Sequence, residues 1–476
     1  MDFDYLFNKN DALTLAVIRQ LNTNATNTIT KNTLIAEYNL TAYQQNRLFD
    51  AINAAFQAVG GEPPCYLEET TKDLWRAHHL TTYCVQQVTL WLLEQSAAFK
   101  VLNYYCFESN AQTTAAYAKN HYLTEAVFFR QTKVLKAKFG EDLGRANTKF
   151  SEFELRQWLF GLYYTVYTGI ATPFPALADQ VAPYLKACIH IIGHSLLPTQ
   201  RVKLTTFIKV WLLRRRNGDN LPATPRHYTA GGYDALSAAL ETAGESPVPT
   251  AECDYLYQFL VTQHYLELPA AQLPTLFPLA DELTRQFIAQ LAQSNVATLT
   301  EPILRDLTSR LMQIHLRFTT FYLEPTTFIA ADQVSFFANL YPEFETVITR
   351  FLNGLKARPE FNLSENMLTN LYFSDMFALI NTIPSTALTQ VIQICVDFSA
   401  GALYSDYVMR SLAAFGHANI RVTQNLDANT DIYIADFHAD DLTIPQVIWQ
   451  NPPTPHDWSQ LAALILDCTQ QKGGRA

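Results

Sequence analysis

Between Ala126 and Phe139 the chain reads AVFFRQTKVLKAKF, with no acid, glycine or proline. Such a run can hardly be anything but a helix. Val127, Val134 and Leu135 fall on one side at helical spacing, with Phe128 beside them. Arg130, Lys133 and Lys136 recur every three residues on another side. Thr124 stands where a helix N-cap is wanted, and Asn120-His121-Tyr122 makes a turn after a shorter helix that begins near Asn110. In a chain of net charge −10, cations gathered on one helix call for a negative partner. The pattern predicts a helix-turn-helix whose second helix enters a DNA major groove. Thr124, Glu125, Ala126 and Phe129 would then face base edges. Arg130, Lys133 and Lys136 would neutralise phosphates, together with Arg145 on a β-hairpin wing allowed by Gly140 and Gly144. The plain alternative is a solvated basic face of a structural helix.

Charge is partitioned along the chain. Residues 99–150 carry eight Lys/Arg against four Asp/Glu, and residues 366–476 carry four against ten. Contact with a polyanion therefore belongs on the N-terminal side. No run of about 18 uncharged apolar residues occurs, so no membrane span is expected. The opening MDFDYLFNKNDALTLAVIRQ carries Asp2 and Asp4 and does not read as a secretory signal. The seven cysteines are odd in number and widely spaced, without a CxxC pair, which fits reduced thiols in a cytoplasm better than disulfides or zinc. No phosphate-cradling GxxxxGK[ST], HExxH or GxSxG occurs, and no cofactor is expected.

A second helix-turn-helix candidate lies upstream, with helices over Thr33–Tyr38 and Ala42–Phe56 around the cap Thr41. Tyr43, Gln44, Gln45 and Arg47 are its candidate DNA contacts. Gly60-Gly61-Glu62-Pro63-Pro64 breaks the chain, and a long amphipathic helix is expected over Lys72–Ala98. Helical patterns then run to about residue 385, with the Gly-, Pro-, Ser- and Thr-rich stretch Asn217–Thr250 read as a loop or linker. Beyond it, Gln390–Val396, Ile420–Thr423, Asp431–Ala435 and Gln446–Trp449 read as short strands alternating with helices, a small parallel α/β domain.

His190 and His194 are spaced i, i+4, as metal ligands or regulatory histidines can be, and His315 is a third candidate for phosphorylation. A structural histidine is the blander reading of each. Arg214-Arg215-Arg216 closes a helix, where cations complement the dipole. Cys395 sits in the first C-terminal strand with Asp397 two residues on, a setting that disfavours a thiolate.

The order of these parts resembles the Mga/AtxA family of transcriptional regulators of Gram-positive bacteria. The local likeness lies in YAKNHYLTEAVFFRQTKVLKAKF (Tyr117–Phe139), in Phe153-Glu154-Leu155-Arg156 with the aromatic run Trp158–Tyr164, in Leu311–Phe321 with Tyr341-Pro342, and in DIYIADF (Asp431–Phe437). The resemblance implies a mainly α, multidomain chain. Two winged helix-turn-helix units (1–64 and 65–150) would precede two helical regulation domains of the phosphotransferase-system type (151–262 and 263–384). An EIIB-like parallel α/β domain (385–476) would follow. It further implies a cytoplasmic activator acting on double-stranded DNA as a homodimer or higher homo-oligomer, with phosphotransferase-system proteins as partners. The rivals are a phosphocarrier or enzyme using Cys395 and His315, and an RNA-binding antiterminator. Two departures stand out: Phe207 occupies the position of the family's regulatory histidine, and the segment after Cys395 lacks a Gly-rich phosphate loop.

Overall fold

A computed structural model describes the chain from Phe3 to Cys468, apart from residues 148, 224–227, 229–231, 245–246, 323–333, 335–336, 339–340, 359–360, 362, 385–386, 389–390, 400, 414–419, 450–453, 455–456, 459, 462 and 466. The fold is mainly helical, with a small four-stranded parallel sheet near the C-terminus. It divides into two compact units, Met1–Val261 and Thr262–Ala476.

The first unit starts with the helix Lys9–Thr23, whose Asn8 cap accepts from the backbone N–H groups of Asn10 and Asp11. The helices Lys31–Tyr38 and Ala42–Val59 follow, joined through a left-handed Asn39 and a reciprocal Thr41–Gln44 cap. The expected Lys72–Ala98 helix is replaced at its start by a hairpin, Tyr66–Thr71 and Leu74–His78, and the helix itself spans Thr82–Gln95. Leu67, Trp75 and Ala77 point inward at period two, and the polar Lys72-Asp73 turns the chain. Leu74–His78 also pairs with Thr28–Thr30, so one antiparallel sheet crosses the expected boundary at residue 64.

The helices Thr114–Asn120 and Glu125–Phe139 come next. No strand forms among the described residues of 140–150, so the expected wing is absent there. Asn147 instead organises a compact loop: its Nδ2 donates to the carbonyls of Phe139 and Arg145, and its Oδ1 accepts from the backbone N–H groups of Lys149 and Phe150. Other helices of this unit include Ala97–Asn103, which precedes the Thr114–Asn120 and Glu125–Phe139 pair, and then Glu152–Tyr167, Ala178–Ile192, Pro198–Arg216, Tyr233–Ala243 and Thr250–Thr262. Tyr233–Ala243 lies in the stretch read as a linker; Tyr233, Leu236 and Leu240 bury one face at helical spacing.

A buried ion network holds this part together. Arg156 donates from Nε to Glu152 at 2.7 Å and from both terminal nitrogens to Glu252 at 2.6 and 2.9 Å. Arg214 donates to both oxygens of Glu152, and to the carbonyls of Cys106 and Gly144 at 2.5 and 2.8 Å. Burial opposes the charge of Glu252, but the Arg156 guanidinium outweighs it and holds the carboxyl below its ordinary value.

In the second unit, Pro278–Ser294, Glu301–Thr320, Pro342–Lys356 and Glu365–Thr382 pack around Phe287, Leu311, Ile348, Phe351 and Met376. The C-terminal sheet runs in the order Ile420–Thr423, Ile392–Asp397, Ile432–Ala435, Gln446–Ile448, all parallel. Of the expected first strand, Gln390 lies outside the described residues. Ala402–Ala413 makes the crossover between the first two strands in sequence. Every residue of Ile432–Ala435 is buried, as a central parallel strand requires.

Candidate nucleic-acid interface

The Glu125–Phe139 helix is fixed from both ends and from one face. Tyr122, in the left-handed conformation, closes the preceding turn, and the backbone N–H of Leu123 donates to Ala118 at 2.8 Å. Thr124 caps the helix by accepting from the backbone N–H of Val127. The buried face is Phe128, Thr132, Leu135 and Phe139: Leu135 and Phe128 of the expected apolar side are buried, Val127 is half-buried and Val134 is turned outward. Phe128 enters an aromatic cluster with Tyr104, Tyr105 and Tyr117, while Val134 is 49% exposed. An apolar helix offers more than one side at helical spacing, and the side that meets the larger apolar partner is buried.

The opposite face is the candidate contact surface. Ala126, Phe129, Arg130, Lys133 and Ala137 recur at intervals of three and four and are all exposed. Arg130 and Lys133 form no ion pair among the described residues. Glu125 is also exposed, in the first turn where an acid suits the helix dipole. Lys136 differs: it is half-buried and paired with Glu141 at 3.2 Å, so it is not free for a phosphate without losing that partner. Lys138 lies 5.0 Å from the Tyr5 ring centre, a cation–π contact. Arg145 is exposed but sits in the Asn147 loop, where its guanidinium donates to Asn110 at 2.8 Å.

The upstream pair is thinner. Tyr43 and Arg47 are exposed, and Gln44 is committed to the Thr41 cap. Gln45 is removed from the candidate contacts: it is 4% exposed and its amide donates to the Leu40 carbonyl. Two cations were missed, Lys72 and Arg76, both exposed on the Tyr66–His78 hairpin. A hairpin reading of TTKDLW would have found them.

The three candidate histidines sit in different settings, and His315 takes the structural role that was the blander reading of it. His190 is exposed on its helix, but Gly193 ends that helix in a left-handed cap and His194 lies beyond it, so the two do not share a helical face. Among the described residues no cluster suits a metal ion. His315 is fully buried, and burial pushes it down to about 3. The Thr284 hydroxyl donates to the Ala280 carbonyl at 2.8 Å, so its oxygen accepts from His315 Nδ1 at 2.9 Å. The other ring nitrogen then faces Asp375 as an acceptor, at 3.7 Å. Burial raises Asp375 well above the usual carboxylate range, so it is the carboxylic acid that meets that nitrogen. A ring enclosed in this way presents no nitrogen to a phosphate donor. Phe207 is likewise buried, stacked 3.6 Å from Phe259.

Cys395 is buried in its strand, and burial with Asp397 raises its thiol. In the following segment, the Ser399 backbone N–H and hydroxyl both donate to the Asp436 carboxylate. The Ser399 bonds hold Asp436 below the usual carboxylate range. An anion of the chain itself thus occupies these donors. No protein-family model matches the chain, and no curated protein matches it.

Proposed function

We propose that the protein is a DNA-binding transcriptional regulator in which the Glu125–Phe139 helix is the main groove reader. The exposed Ala126–Phe129–Arg130–Lys133–Ala137 ridge, set opposite a fixed aromatic face, carries this reading. Two free cations one helical turn apart suit successive phosphates, and small alanines at either end let the backbone approach a groove wall. The Ala42–Val59 helix, with the Tyr66–His78 hairpin as its wing, supplies a second, weaker head through Tyr43, Arg47, Lys72 and Arg76. Activation, homo-oligomerisation and control by phosphotransferase-system proteins are what the likeness to Mga/AtxA regulators adds. The Ser399–Asp436 contact favours an interaction role for the C-terminal sheet over phosphate transfer, and a narrow RNA major groove does not admit such a helix.

Duplex-DNA binding measured across a salt series tests this reading. Each phosphate contact removed should flatten the log–log salt slope by roughly 0.9. Arg130→Ala and Lys133→Ala should each do so and weaken binding, whereas Lys138→Ala on the flank should change it little. Duplex binding that survives both ridge substitutions unchanged refutes the assignment. Sedimentation with and without residues 385–476 tests the assembly; a monomer in both cases rejects it.

A further inference from the structure

Arg317 lies in the last turn of the Glu301–Thr320 helix. Its guanidinium forms no ion pair or hydrogen bond among the described residues. It keeps an exposed edge, yet neighbouring atoms crowd it, and burial pulls it below the ordinary arginine value. It lines a cleft of about 70 Å³ between its own helix and Glu365–Thr382, with room for several water molecules. One wall is apolar: Ile314 and Phe318, spaced i, i+4 on the arginine's helix, and Leu371 from the facing helix. Phe318 and Leu371 are buried. The other wall is polar. Asn370 Nδ2 donates to the Tyr322 hydroxyl at 2.9 Å, which holds the amide in place. Its second N–H makes no hydrogen bond among the described residues. The Ser374 hydroxyl is committed to the Asn370 carbonyl at 2.8 Å. Among the described residues that line the cleft there is no carboxylate.

We propose that this cleft is a binding site for a small organic monocarboxylate with a short apolar stem. The Arg317 fork offers parallel N–H donors that match the two oxygens of a carboxylate. The second Asn370 N–H adds a donor on the polar wall. The stem lies against Ile314, Phe318 and Leu371. Charge decides between anions. One guanidinium balances one negative charge. A phosphate dianion would keep an excess charge beside an apolar wall, with no second cation lining the cleft to offset it. A neutral ligand of the same shape would leave the guanidinium without a counter-charge. An occupant also ties the Glu301–Thr320 and Glu365–Thr382 helices to each other, since both line the site. The site stands whether or not the Glu125–Phe139 helix reads DNA.

Butyrate added to the full chain is the probe, with butyramide as its uncharged counterpart and inorganic phosphate as the competing anion. Phenylglyoxal labels accessible arginines, and a label on Arg317 blocks the tryptic cut that releases Leu311–Arg317. For a ligand this small a dissociation constant on the order of 1 mM is expected. Butyrate at about 20 mM should therefore slow labelling of Arg317 at least about fivefold. Arg305, exposed on the same helix outside the cleft, should label at its former rate. Butyramide and phosphate should protect Arg317 less than butyrate does. Calorimetry should show saturable butyrate binding that Arg317→Gln weakens at least about tenfold and Arg305→Gln leaves unchanged. Circular dichroism confirms that both variants are folded. In the wild-type chain, which needs no substitution, equal protection by butyramide, stronger protection by phosphate or no protection by butyrate overturns the proposal. So does butyrate binding that persists unchanged in Arg317→Gln.

Discussion

Replacing Glu252 by Gln tests whether the buried ion network holds the first unit together. Glu252 accepts four hydrogen bonds: two from Arg156 at 2.6 and 2.9 Å, one from the Trp211 indole at 2.8 Å and one from the Leu221 backbone at 2.9 Å. Glutamine keeps the volume and one oxygen. Its amide nitrogen must then point at a donor, and the Arg156 guanidinium loses a counter-charge in a site with no solvent access. Removing one partner of a buried pair costs about 3–5 kcal/mol. Glu152 remains 2.7 Å from Arg156 Nε, which places the expected loss near the lower end, about 3 kcal/mol. Hydrogen exchange of peptides from Pro198–Arg216 and Thr250–Thr262 should then accelerate roughly a hundredfold at pH 7. Glu141→Gln, which breaks an exposed pair, should change exchange by less than about fivefold.

The pH dependence of the same variant supplies its sign. Glu252 ionises more readily in the folded chain, so its stabilisation is fully present above its ordinary value of 4.5. It is lost as pH falls through the depressed folded value. Wild type and Glu252→Gln should therefore differ by a constant amount above pH 4.5 and converge in acid. A loss below about 1 kcal/mol at pH 7, or a gap that widens in acid, would refute the reasoning.

At Gly144, φ is +79° and an added Cβ would lie 2.5 Å from the Tyr105 backbone, so Gly144→Ala should destabilise by more than about 2 kcal/mol, read as a lower Tm. Burial disfavours the charged forms of both His315 and Asp375. The stabilisation from neutral Asp375 is present in acid and is lost as pH rises through its raised folded value, giving a downward slope of stability with pH across that range. Denaturant titrations at several pH values should show that slope vanish in Asp375→Asn; an unchanged slope rejects the proton placement.

Local signals were legible in the sequence and distant ones were not. Thr124, Thr41 and the Asn39 turn carry their helix boundaries in neighbouring residues, so both helix pairs could be drawn from the chain. The central strand Ile432–Ala435 was equally plain, because a strand buried on both faces leaves an unbroken apolar run. The sides of Val134 and Gln45 were misplaced because burial depends on what a helix meets: here Tyr104, Tyr105 and Tyr117 for one helix and the Leu40 carbonyl for the other. The hairpin was hidden by a helix period laid over Leu74–His78, where only Trp75 and Ala77 show the alternation. Only the Glu152–Arg156 pair of the ion network, at i,i+4 on one helix, has a local signature; Arg156 and Glu252 are 96 residues apart, and nothing in the sequence joins them.

Under the proposed function, that network also limits how a signal could reach the Glu125–Phe139 helix. Arg214 closes the Pro198–Arg216 helix, yet its guanidinium grips the Cys106 and Gly144 carbonyls on either side of the Glu125–Phe139 helix in sequence. Asn217 adds to the grip by accepting from Asn110, whose own oxygen accepts from Arg145. Five guanidinium donors in a rigid fork, all buried, do not exchange partners for water without a large desolvation penalty. A hinge between the helices after residue 151 and the reading helix would have to break these bonds together. Under the proposed function, control therefore acts by moving the Met1–Val261 unit as a whole, so that the spacing of two reading heads, rather than the shape of one, sets binding.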